Sequence, residues 1–152
     1  MQVDGHHNRG NALFYWHCGP DIRHRAVHHA SQVPHAWAKL LRDNYEVILH
    51  ELRSGDYPLV GFDSLDDGNA YLNQHGEWRA LPLLMYGRPS QVSRHLPRTM
   101  ALLAQTPLHN AYVSFLGGGA WLPPHRGSTQ FLLRYHLGLD VPAVGPLPQV
   151  VC

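Results

Sequence analysis

Ten residues, Gln130 to Leu139, constrain the fold most. Phe131, Leu133, Tyr135, Leu137 and Leu139 alternate with Gln130, Leu132, Arg134, His136 and Gly138. A period of two marks a strand with one apolar face. Upstream, Tyr112–Leu116 alternates in the same way, with Val113 and Phe115 on one face and Tyr112, Ser114 and Leu116 on the other. Gly117, Gly118 and Gly119 then allow a tight reversal, and Pro123 and Pro124 stiffen the approach to His125. The run from Ala111 to Pro142 therefore reads as strand, glycine turn, histidine-bearing segment and second strand. The polar face of the second strand has two readings. It meets water, as in most half-buried sheets, or it lines a barrel cavity in which Arg134 receives a carboxylate bidentately.

The rest of the chain frames these strands. At 152 residues it suits one domain, burying roughly 68–70% of its unfolded surface. Hydrophobic residues make up 44% and charged residues 15%, which reads as globular. The formal net charge of +1 gives no argument for nucleic acid or an anionic membrane surface as partner. Cys18 and Cys152 lie far apart and outside any CxxC pair, so a cytoplasmic protein without a disulfide framework is expected. No apolar stretch approaches the roughly 20 residues that span a bilayer, and MQVDGHHNRGN lacks the basic-then-apolar order of a signal peptide. No internal repeat is evident. Most of the thirteen histidines fall in the first half without ligand spacing and read as surface residues.

In chain order, residues 1–33 read as a polar lead-in whose cluster Leu13–Trp16 suggests a short edge strand, stopped at Gly19-Pro20. His6-His7 and His28-His29 leave open a bland alternative, a β-sheet domain with a metal-sequestering N-terminus. Residues 34–53 predict one helix: Trp37, Leu40, Leu41, Tyr45, Ile48 and Leu52 form an apolar stripe, Ser31 is a candidate cap and Ser54-Gly55 a stop. Asp66-Asp67-Gly68-Asn69 reads as a turn rather than a metal site. Trp78–Tyr86 reads as a strand, in which Pro82 implies an edge or a bulge. A loop follows, then a short helix over 97–105 with Met100 and Leu103 inward. The tail after Pro142 carries no strand signal.

The stretch PHRGSTQFLLRYHLGLDVP resembles the signature of the aspartyl/asparaginyl β-hydroxylase family, a P-H-x-G element followed by L-R-x-H-L-G-L-x-V-P. Weaker similarity reaches back through the Pro97–Leu103 run to GEWRALPLLMYG. Residues 34–152 are then one domain of that family, with its core motif at 111–142. The resemblance implies a mainly β fold with flanking helices, a double-stranded β-helix (jelly-roll, cupin-like), incomplete at its C-terminal end. It implies an iron(II)- and 2-oxoglutarate-dependent dioxygenase acting on an unactivated C–H carbon, the β-carbon of Asp or Asn in a peptide or protein, with lipid the substrate of some bacterial relatives.

Residue by residue, the resemblance makes His125 an iron ligand. It places Ser114, Arg134 and His136 around the 2-oxoglutarate carboxylates, with Trp78 beside them. Gly127 stands where many related oxygenases carry a carboxylate ligand, and the family expects glycine there. The family's second iron histidine and a further arginine lie beyond the H-L-G-L element, whereas this sequence ends 16 residues after His136 and holds no later histidine. Two functional readings follow: a hydroxylase, or a non-catalytic fragment or pseudoenzyme that keeps a carboxylate-binding pocket.

Overall fold

The computed structural model describes residues 9–17, 36–65, 76–123 and 132–141. Six strands form one antiparallel sheet: β1 (Arg9–His17), β2 (Val60–Gly61), β3 (Trp78–Met85), β4 (Arg88–Pro89), β5 (Asn110–Leu116) and β6 (Leu132–Gly138). Their spatial order is β2-β3-β5-β1-β6, with β4 on the end of β3. Helices α1 (Ala36–Asp43), α2 (Tyr45–Ser54) and α3 (Pro97–Leu103), with two short 3-10 helices at Phe62–Ser64 and Val92–His95, complete the described elements. The mainly β class with flanking helices thus holds. Among the described residues the sheet stays open and does not close into a barrel.

The alternation seen in the sequence decides which face is covered. Val113, Leu137, Leu139 and, less deeply, Phe115 and Tyr135 pack in one cluster with Trp37, Leu41, Ile48, Leu96 and Leu103. Burying each of these large side chains is worth about 1.5–3 kcal/mol, which makes this layer the main source of stability. Trp37 meets Tyr135 edge-on at 5.3 Å.

The expected single helix is two. The Asn44 side chain donates to the Leu40 carbonyl at 2.9 Å, and its own carbonyl accepts from the amides of Val47 and Ile48. One residue therefore ends α1 and starts α2, because its short amide competes for backbone groups. The break turns Tyr45 out of the stripe, where it is exposed. The stop at Gly55 was legible: a Cβ there would lie 2.4 Å from the Tyr57 ring.

The cluster Leu13–Trp16 was expected at an edge. It lies within β1, which pairs with β5 on one side and β6 on the other, so it is internal. Pro82 marks a bulge: the pairing of β3 with β5 shifts between Pro82 and Leu84. The extra residue sends both Leu83 and Leu84 into the helix-side core. Asp66–Asn69, Ser31, the histidine pairs and the tail lie outside the described residues.

Between β3 and β4, Tyr86 (φ 51°) and Gly87 (φ 76°) form a two-residue turn with both φ positive, the I′ geometry that favours Asn-Gly. Tyrosine is strained there. Tyr86→Asn is expected to stabilise the chain by about 1 kcal/mol and raise Tm by about 2–4 °C, measured by thermal melts.

Two phenols give the fold an alkaline limit. The Tyr57 hydroxyl donates to the Glu51 carbonyl at 2.8 Å, and the Tyr135 hydroxyl to the Ala38 carbonyl at 3.4 Å. Burial raises the pKa of both; the Glu51 carboxylate raises Tyr57 further, and Arg42 partly offsets the shift at Tyr135. Their contribution is full below the unfolded phenol value and is lost as pH rises through the higher folded values. Denaturant melts above pH ~10 should show stability falling, with two phenols ionising late by ultraviolet absorbance.

Candidate functional site

Cross-strand partners share a face, so the register locates every described candidate. Ser114 pairs with Ala80 on β3 and with Asn11 on β1, and Asn11 pairs with Gly138. One row along, Tyr112 and His136 both lie opposite Leu13; in the next row, Asn110 and Arg134 both lie opposite Tyr15. Trp78 pairs with Leu116. Trp78, Ser114, His136 and Arg134 therefore all stand on the face away from the helices. The polar alternation of both strands was a correct guide to this.

They form two pairs along a diagonal. The Trp78 indole Nε1–H donates to the Ser114 hydroxyl at 2.7 Å, and both residues are only 6% exposed. Arg134 and His136 sit two residues apart on β6, half-buried and exposed respectively. β1 runs between the pairs, so the Cα atoms of Ser114 and His136 are about 12 Å apart, and those of Ser114 and Arg134 about 17 Å, in a flat sheet.

The Trp78–Ser114 pair has a defined polarity. Indole nitrogen only donates, so the serine oxygen accepts and its own proton is directed elsewhere. An aromatic cluster holds this geometry. Phe62 stacks on Trp78 with ring centroids 3.8 Å apart and 7° between planes, and tilts against Tyr112 at 6.2 Å. Ala80, fully buried opposite Ser114, keeps room beside the hydroxyl. Phe62 was missed in the sequence, where it sits alone in a turn-rich stretch; its only signal was the apolar pair Leu59-Val60 just before it.

His125 lies outside the described residues. Among those described, no three His, Cys, Asp or Glu side chains gather as metal ligands. Ser114, Arg134 and His136 are donors or can act as donors to a carboxylate.

An open antiparallel sheet, braced by helices on one face and presenting hydrogen-bond donors on the other, is the class these observations define. The family described as Aspartyl/Asparaginyl beta-hydroxylase matches residues 42–151, and the chain belongs to that family. It is also similar to the ornithine lipid ester-linked acyl 2-hydroxylase of Rhizobium tropici, 31% identical over 113 residues that cover 70% of this chain and 40% of the relative. The chain thus matches well under half of that relative's length. No solved structure matches the chain.

Proposed function

We propose that this chain is a hydroxylase that uses iron(II) and 2-oxoglutarate, on a double-stranded β-helix of which the described sheet is one layer. The observation that carries this reading is the placement of Trp78, Ser114, Arg134 and His136 on one sheet face, away from the helices. His125 would hold the iron. When bound, the two cofactors supply the oxidation: one oxygen atom of O₂ enters the substrate C–H bond and the other leaves in succinate, with release of CO₂. The residues of the chain do the positioning. The Arg134 fork takes a carboxylate, His136 donates beside it in the right tautomer, and the Ser114 proton, directed by Trp78, donates from across the face.

The substrate we propose is the β-carbon of an Asp or Asn side chain in a peptide. The ornithine lipid relative favours a second reading, carbon 2 of an ester-linked acyl chain. Both are methylene groups directly beside a carbonyl carbon, so one way of presenting the reacting carbon serves either. Turnover on aspartyl peptides against ester-linked acyl lipids, read by an added oxygen in mass spectrometry, separates them.

Anaerobic calorimetry with iron(II) and 2-oxoglutarate tests the cofactor assignment. Micromolar binding of both, lost in His125→Ala and Arg134→Ala respectively, is the expected result. Binding of 2-oxoglutarate alone would leave a pseudoenzyme, and binding of neither would remove the assignment. Iron held by the N-terminal histidines instead would survive His125→Ala and disappear when His6, His7, His28 and His29 are replaced by alanine, a change that leaves β1 in place.

A further inference from the structure

The small net charge conceals an asymmetry. Between Glu77 and Asp140 the sequence holds six arginines and no carboxylate side chain, whereas ten of its eleven acidic residues lie at or before Glu77. Three of those arginines, Arg88, Arg94 and Arg98, are exposed on the single connection from β3 to α3, as are His95 and Gln91. None of the three forms an ion pair among the described residues. The nearest described carboxylate partner of this connection, Glu51, is buried and accepts from the backbone amides of Arg98 and Thr99.

The same connection carries Tyr86, 80% exposed at the tip of its turn and in a backbone conformation unfavourable to tyrosine. An exposed aromatic kept at such a cost suggests use. We propose that the connection from Tyr86 to Arg98 docks this protein on an anionic lipid surface. Arginines near such a surface gain from its negative potential, and a tyrosine suits the interface, its ring among acyl chains and its hydroxyl in the headgroups. A single-stranded nucleic acid fits less well, since strand binding uses a groove with several stacking aromatics and Tyr86 is the one aromatic residue on this connection. The turn end of this connection meets the donor-bearing face, whereas Val92 and Leu96 pack on the helix side of the sheet. The Tyr86 amide donates to the Asn110 side chain at 2.6 Å, and Asn110 shares its row with Arg134.

Co-sedimentation with phosphatidylcholine vesicles, with and without phosphatidylglycerol, tests this without iron or 2-oxoglutarate, so its outcome is separate from that of the hydroxylase reading. The chain should bind the anionic vesicles, less at high salt. R88E/R94E should weaken binding by about thirtyfold or more, and Tyr86→Asn several-fold although that variant is the more stable. K39E/R42E on α1, with the same change of net charge, should stay within about twofold, with circular dichroism confirming that each variant is folded. Equal losses in the two double variants, equal binding to neutral vesicles, or binding to an oligonucleotide but to no vesicle would each overturn the proposal.

Discussion

Glu51→Ala is expected to lower stability by about 3 kcal/mol, which for a chain of this size is a fall in Tm on the order of 10 °C. Glu51 is a buried residue of α2 whose carboxylate does not face water. It accepts from the Arg98 amide at 2.8 Å and from both the amide and the hydroxyl of Thr99 at 2.7 Å. These donors lie in the first turn of α3, and Leu96, which precedes that helix, gives it no side-chain cap. The first amides of a helix need partners and carry the positive end of its dipole. A carboxylate from a neighbouring helix meets both needs and clasps α2 to α3. Removing it strands buried donors, which costs more than an average hydrogen bond contributes.

Glu51→Gln keeps the shape but offers one acceptor oxygen in place of two, and should fall between wild type and alanine in chemical denaturation. The Tyr57 phenol gives an independent reading. Its raised pKa should drop part of the way in Glu51→Ala, since burial, the larger cause, remains while the carboxylate is lost. A loss below 1 kcal/mol in Glu51→Ala, with Tyr57 unmoved, would show that the clasp is not formed.

The second large effect concerns the pair at the centre of the donor-bearing face. Ser114→Ala should cost about 1–3 kcal/mol, because the Trp78 indole N–H is left in a buried aromatic cluster without its acceptor. Trp78→Phe should cost at least as much, through the same bond and through the lost stack on Phe62. The double variant should be less destabilised than the sum by about 0.5–1 kcal/mol, as expected for partners in contact.

Ligand affinity then separates structure from function. On the proposed role, Ser114→Ala removes a donor to a carboxylate and should weaken 2-oxoglutarate binding by about ten- to thirtyfold. Trp78→Phe keeps the hydroxyl but frees its rotation, so its loss should be only several-fold. If Ser114→Ala bound 2-oxoglutarate as well as wild type while losing stability, the serine would be a structural partner of the indole alone.

The local patterns that made the fold readable were those governed by neighbours in the chain. Alternation in Tyr112–Leu116 and Gln130–Leu139 named the faces on which Val113, Ser114, Arg134, Tyr135, His136 and Leu137 stand, because a strand must turn successive side chains to opposite sides. Pro82 announced an edge position or a bulge because it lacks an amide proton, and the bulge is what forms; Ser54-Gly55 announced the end of α2. Two local signals misled. Asn44 lies inside an unbroken apolar stripe, and only the choice of its side chain to bond the Leu40 carbonyl splits the helix. Leu13–Trp16 looks like an edge strand because its flanks are polar and rich in histidine.

What the sequence by itself determined is therefore the strands, their faces and the motif that joins this chain to its family. Tertiary structure alone decided which strands meet. β5 and β6 are consecutive strands joined by a glycine-rich segment, yet β1, from nearly a hundred residues upstream, stands between them. It separates Ser114 from Arg134 and leaves them on one face. Phe62 joins Trp78, and Glu51 joins Thr99, by the same kind of long-range choice. Backbone sterics act between adjacent residues and can be read in order. Strand pairing, ring stacking and buried hydrogen bonds reward contacts between distant segments, and only the closed chain shows which of them are made.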